Sequence, residues 1–274
     1  KKIKIELFKE QETYTIYNGS MLDMLQVIEP NSIDAIVTDP PYELNFMNKG
    51  WDNTGIAFNP NTWKKCYEVL KPGGYLLAFG GSRTFHRIAV AIEDAGFEIR
   101  DTIMWLYGSG FPKSMNMGLA IDKKNKVESK IVGTKKRHDF SKHKGSMMSF
   151  SNTEEQETKT NVVNIKQAQN EWQGWGTALK PAYEPIIVAR KPIEGTVVEN
   201  VMKWGVGGLN IEECRVKTED NLKGGSYNTK GNSQKSKEDA TSYYLKVLEK
   251  EFIQPEGRFP ANVIHDGSDE VVSL

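Results

Sequence analysis

The sequence predicts an α/β protein built on an open, mostly parallel sheet, and three observations predict it. Short apolar runs suited to buried strands alternate with stretches whose apolar residues recur at helical spacing. The runs end at proline or glycine, which interrupt a ladder or a helix. The order strand, helix, strand, helix, strand from Asp34 to Tyr107 calls for right-handed crossovers, hence parallel neighbours.

Ser20 is placed to cap a first helix, with Asp23 three residues on and a stripe of Met21, Met24, Leu25 and Ile28. Asp34–Thr38 is a short strand that stops at Pro40 and Pro41. Trp63, Cys66, Tyr67 and Leu70 mark a second helix, ended by Lys71-Pro72-Gly73-Gly74. Cys66 on that stripe belongs to the core rather than to nucleophilic chemistry. Tyr75–Phe79 is the next strand, closed by Gly80-Gly81. Ser82 is placed to cap a third helix with Phe85, Ile88, Ala89 and Ile92 inside, His86 on its surface and Gly96 at its end. Phe97–Tyr107 is extended, with Phe97, Ile99, Ile103, Trp105 and Tyr107 on one parity.

From Lys113 the character changes. Ten Lys or Arg stand against three Asp or Glu between Lys113 and Lys144, and small polar residues dominate up to Asn170. Four regions follow: an α/β core at 1–112, a basic, partly flexible insertion at 113–171, a return strand of the core at 172–192 centred on Glu184–Ala189, and a tail at 193–274. The tail holds Gly205, Gly207 and Gly208 and a polar loop from Thr218 to Thr241, with too little apolar content for a second large core. The basic run fits a phosphate clamp or a solvated loop equally well. Trp172 and Trp175 fit stacking on bases or packing beneath the insertion.

Composition sets outer limits. At 274 residues the chain holds one generous domain, or a domain and a smaller lobe. The 36 basic and 36 acidic residues cancel, so any polyanion-binding surface must come from uneven distribution. Cys66 and Cys214 are far apart and read as reduced thiols, with a disulfide the less favoured option. The histidines (His86, His138, His143, His265) show no ligand spacing, so no metal is expected. With no spanning-length apolar run and no leader at the start, the expected location is the cytoplasm, not a membrane. The opening Lys1-Lys2-Ile3 is the start expected of a piece of a longer product.

The residues that carry chemistry are Asp39-Pro40-Pro41-Tyr42. Roughly one chain in a thousand of this length would hold that tetrapeptide by chance. It sits at a strand end, where open α/β sheets bind ligands. The exocyclic amine of adenine or cytosine is a poor nucleophile because its lone pair is delocalised into the ring. Two acceptors on its hydrogens favour a pyramidal nitrogen. Asp39 supplies one, and the Pro40 carbonyl, stiffened by consecutive prolines, supplies the other. Tyr42 offers a flat face for a base drawn out of the duplex. The plain alternative is a turn that ends a strand, with Tyr42 as packing.

Beyond the motif, the sequence resembles the DNA N-4/N-6 (amino) methyltransferases, especially the phage-associated members. The resemblance is carried by Tyr17-Asn18-Gly19-Ser20, by Ser32 through Tyr42, and by Leu70-Lys71-Pro72-Gly73-Gly74. It continues in Gly108-Ser109-Gly110-Phe111-Pro112, Lys180-Pro181-Ala182-Tyr183-Glu184-Pro185, Gly207-Gly208-Leu209-Asn210-Ile211 and Arg258-Phe259-Pro260-Ala261-Asn262-Val263. It implies a partial Rossmann-like, S-adenosylmethionine-dependent methyltransferase sheet with an inserted basic lobe and a small C-terminal target-recognition region. It also implies catalysis by Asp39, Pro40, Pro41 and Tyr42, a donor bordered by Asp39, Pro40 and the turn Gly80-Gly81-Ser82, and double-stranded DNA as partner. The leading Asp of the motif implies adenine N6 as the target, with cytosine N4 second.

One departure stands out. Family members with an early catalytic motif carry a late Phe-x-Gly-x-Gly donor loop preceded by His-Pro-Thr-x-Lys-Pro, and neither occurs here. The expectation is therefore a split half that needs a second polypeptide bearing the glycine loop, or a DNA-binding remnant without catalysis.

Overall fold

A computed structural model describes residues 6–11, 13–44, 50–108, 110, 114–136, 162–219, 222 and 255–272. Lys113, Arg137, Lys142 and Lys144 of the basic run lie outside the described residues. So do His138, His143, Ser109, Phe111, Pro112 and most of the polar loop from Thr218 to Thr241.

The chain forms two compact units, 1–108 with 183–274, and 109–182. In the first unit, β1 (Glu6–Gln11) and β2 (Tyr14–Asn18) make an antiparallel hairpin. A single helical turn follows, α1 (Met21–Met24). Ser20 occupies its N-cap position, but its side chain makes no capping bond. The turn then leads to β3 (Ile33–Thr38).

Helix α2 (Pro60–Val69) starts at Asn59, whose side chain accepts from Asn61 N at 3.0 Å, with Pro60 at the first helical position. It buries Thr62, Trp63, Cys66 and Val69. Burial pushes the Cys66 thiol up to about 11, as befits a core residue. The chain enters β4 (Leu70–Phe79) at once, so Lys71 to Gly74 both end the helix and open the strand. Gly73 makes this possible, because at φ +81° with Asn200 packed on it no side chain would fit. Helix α3 (Phe85–Asp94) buries Ile88, Ala91 and Ile92, exposes His86, and leads through Gly96 at φ +105° into β5 (Glu98–Leu106).

The expected single parity of Phe97–Tyr107 is not kept. Phe97 is buried while Ile99 and Trp105 are exposed, and a register shift between Ile99 and Asp101 changes the parity of the residues after it. The sheet is mostly parallel, as expected, with one reversed strand that makes it mixed. β8 (Tyr183–Arg190) lies between β4 and β5 and is antiparallel to both, while β3 is parallel to β4. Helix α5 (Val197–Trp204) has a complete capping box from Thr196 and Glu199 and ends at Gly205. Two short strands, β9 (Val216–Lys217) and β10 (Gly257–Arg258), pair with each other. β11 (Val263–His265) then joins the main sheet parallel to β5, giving the order β11-β5-β8-β4-β3, before α6 (Asp269–Val272).

The core lies where α2 and α3 cover this sheet. Trp63, Cys66, Ile88, Ile92 and Phe97 meet Leu76, Ala78, Ile187 and Ala189 there. Lys191, at the end of β8, is buried with its ammonium donating to Asn31 Oδ1, Tyr67 O and Leu70 O at 2.7–2.8 Å. Asn200 is fully buried on α5, donating to Pro72 O at 2.9 Å and Val206 O at 2.8 Å and accepting from Glu194 N at 2.9 Å.

The second unit consists of α4 (Met117–Asn125) and the antiparallel hairpin of β6 (Lys130–Lys136) and β7 (Val162–Gln167). Asp122, buried on α4, accepts from Ser129 Oγ, Gln169 N and Asn170 Nδ2 at 2.6–3.1 Å and so ties the helix to the end of the hairpin. Trp172 and Trp175 are exposed among the described residues and meet edge to face at 5.1 Å. No helix among the described residues is long and apolar enough to cross a membrane.

Candidate active site

β3 is hydrogen-bonded to β4 on one side and, among the described residues, ends the sheet on the other. It delivers Asp39 to its carboxyl end, just past Thr38, where the two prolines stop the ladder. Asp39 is exposed, and Pro40, Pro41 and Tyr42 are half-buried.

Tyr42 is gripped from several directions. Its hydroxyl donates to Glu184 Oε2 at 3.0 Å, a contact across 142 residues of sequence. Its backbone carbonyl accepts from Thr84 Oγ1 at 2.7 Å. Burial pushes the Tyr42 phenol well above its ordinary range, and the carboxylates of Glu184 and Asp39 push it further the same way. The hydroxyl is therefore a fixed donor between two acceptors. Tyr107, just past β5, is raised as well, by burial and then by Glu184.

The turn after β4 packs on its own chain. A Cβ on Gly80 would come 2.9 Å from Phe85 Cβ, and one on Gly81 would come 3.2 Å from Tyr42 Cδ2. Ser82 is exposed and caps no helix. Thr84 holds the N-cap position of α3 without capping it, because its hydroxyl is engaged with the Tyr42 carbonyl.

Glu43 follows the motif at φ 55°, a left-handed conformation uncommon for a residue with a side chain. Its carboxylate accepts from Gly55 N at 2.9 Å, Thr54 Oγ1 at 3.2 Å and Ala57 N at 3.4 Å. The Ala57 carbonyl in turn accepts from Trp63 Nε1 at 2.9 Å. The motif is thereby tied to α2 through a short 3-10 turn at Ile56–Phe58. Glu43, Thr84 and Glu184 escape a reading by local pattern. Only Glu184 carried a signal, its place in the Lys180–Pro185 stretch, and that stretch implies no role for it.

The site gathers two carboxylates and a clamped aromatic ring at the carboxyl end of an edge strand. That set of groups can accept hydrogens from an amine and stack on a flat ring. The chain belongs to the N6/N4 DNA methylase family, whose pattern matches residues 33–261. It is similar to the type II methyltransferase M.HindIII of Haemophilus influenzae, 23% identical over 71% of this chain and 64% of that protein. A shorter stretch is similar to the type II methyltransferase M.HpaI of Haemophilus parainfluenzae, 36% identical over 35% of this chain and 32% of that one. The chain thus spans less than two thirds of the length of these relatives. The solved structure of the cytosine-N4-specific PvuII DNA methyltransferase matches 76% of this chain and 58% of its own at 16% identity, with a TM-score of 0.34.

Proposed function

We propose that this chain methylates an exocyclic amine in double-stranded DNA, adenine N6 in the first place and cytosine N4 in the second, with S-adenosylmethionine as donor. The observation that carries this reading is the exposed Asp39 beside a Tyr42 ring held at both ends. A base drawn from the duplex stacks on Tyr42 while Asp39 and the Pro40 carbonyl accept its two amino hydrogens. That pull frees the nitrogen lone pair. Pro41 keeps the Pro40 carbonyl in place.

The bound donor supplies an electrophilic methyl group. Asp39 and Pro40 are the residues placed to border it. The turn Gly80-Gly81-Ser82, whose glycines pack on Phe85 and Tyr42, is the further stretch placed to line the same pocket. The residues present therefore fit the acceptor half of the reaction well and the donor half only at its edge.

That imbalance supports a second reading, in which the chain is an acceptor and DNA-binding half that takes its donor site from another polypeptide. Val37 on β3 is 69% exposed, on a strand with no neighbour on its outer side among the described residues. On either reading the setting is a bacterial or phage restriction-modification system in the cytoplasm. DNA binding then belongs to the insertion at 113–171 and the tail at 193–274, and catalysis to the core at 1–112 and 172–192.

Transfer of labelled methyl from S-adenosylmethionine to unmethylated DNA, with Asp39→Ala as control, separates the readings. Transfer above the control supports the enzyme. No transfer with DNA binding retained supports the half-site or the remnant.

A further inference from the structure

We propose that Glu184 is a positioning residue for the catalytic motif, holding the Tyr42 hydroxyl and so setting the plane of its ring before any base arrives. The proposal rests on the reading of this strand end as the base pocket.

The geometry is a two-point clamp. A tyrosine held only through its backbone can still swing about its two side-chain torsions. Here the backbone end is fastened by Thr84 at 2.7 Å and the hydroxyl end by Glu184 at 3.0 Å. Gly81 lies against the ring edge, close enough that a side chain there would crowd it. Glu184 itself has little freedom of backbone, because β8 pairs it with Trp105 of β5, between Tyr183 opposite Leu106 and Pro185 opposite Met104. The Pro185 carbonyl accepts from Gly80 N at 2.9 Å, so neighbouring residues of β8 hold the ring and the turn behind it.

A ring already fixed in its stacking plane loses less freedom when a base lands on it, which favours the productive geometry over the merely bound one. The charges agree with this role. Asp39 at the end of β3 and Glu184 on β8 both favour the protonated phenol, which keeps Tyr42 a donor, and Tyr107 faces Glu184 from beyond β5. Glu184 and Asp39 divide the work: Glu184 holds the platform, and Asp39, exposed at the end of β3, is the carboxylate presented to the amine.

The test uses the full chain carrying tyrosine labelled with carbon-13 at Cζ, the Tyr42 signal being the one lost in Tyr42→Phe. Glu184→Leu should move the Tyr42 signal, and Glu184→Gln, which keeps an acceptor, should move it less. In the methyl-transfer assay Glu184→Leu should lower kcat roughly tenfold with KM for DNA unchanged. Glu184→Gln should recover part of that loss. Adding Glu184→Leu to Tyr42→Phe should cost nothing further, because the bond is already gone. An unmoved Tyr42 signal in Glu184→Leu overturns the proposal, and so do fully additive losses in the double variant. If the wild-type chain transfers no methyl, the activity reading fails while the Tyr42 signal still decides the contact.

Discussion

The inner sheet and the edge that carries the motif are held by different physics. Between β4, β8, α2 and α3, large apolar side chains such as Trp63, Leu76, Ile88, Ile92 and Ile187 are shut off from solvent. At the outer strand β3, only Ile33 and Ile36 reach that core, and Val37 is largely exposed. The motif at its end is kept in place by polar contacts from three other regions: Thr84 and Glu184 on Tyr42, and the 54–57 turn on Glu43. Apolar burial is strong and non-directional, whereas hydrogen bonds are individually modest but fix orientation. Stability is concentrated in the first region and geometry in the second.

Substitutions can break that contrast. Ile92→Ala, in the sealed interior, should cost about 2–5 kcal/mol in denaturant unfolding. A loss below about 1 kcal/mol there would mean that the core is not the anchor. Asn200→Leu removes partners from Pro72 O, Val206 O and Glu194 N, and should cost about 1–3 kcal/mol by the same measurement. Val37→Thr, on the open edge, should shift stability by no more than about 0.5 kcal/mol. A large loss from Val37→Thr would show that the outer face of β3 is covered in solution.

Acid sharpens the comparison in the second unit, which also depends on a polar pin. Burial alone would raise the Asp122 carboxyl, but the bonds from Gln169 N, Asn170 Nδ2 and Ser129 Oγ outweigh it and hold the group below its ordinary value. Because the folded value is the lower one, this contribution is complete above the unfolded range near about pH 4. It is lost as pH falls through the folded value. Amides of β6 and β7 should then exchange faster with solvent while those of β4 and β8 stay protected. Equal acceleration in both would contradict a local role for Asp122.

The elements with strong local pattern were legible. β3, α2, α3 and the strand around Glu184–Ala189 fall where apolar spacing and the proline and glycine stops place them. The insertion of β8 between β4 and β5 was not legible, because strand order depends on pairing over long distances rather than on local spacing. The bulge at Ile99 and Asp101 defeated the parity of β5 for a similar reason, since one extra residue moves every later side chain to the other face. At the site, Asp39, Pro40, Pro41 and Tyr42 could be picked out because they are contiguous and rare in combination. Glu184 and Thr84 could not, because only the fold brings them to Tyr42.

The most direct measurement is the nucleoside content of DNA from a host lacking its own DNA methylation, after expression of the wild-type chain or of Asp39→Ala. Mass spectrometry distinguishes N6-methyladenine from N4-methylcytosine without knowledge of the target sequence. The account predicts N6-methyladenine with the wild type and none above background with Asp39→Ala. No modified base from the wild type, or equal amounts from both, would contradict it.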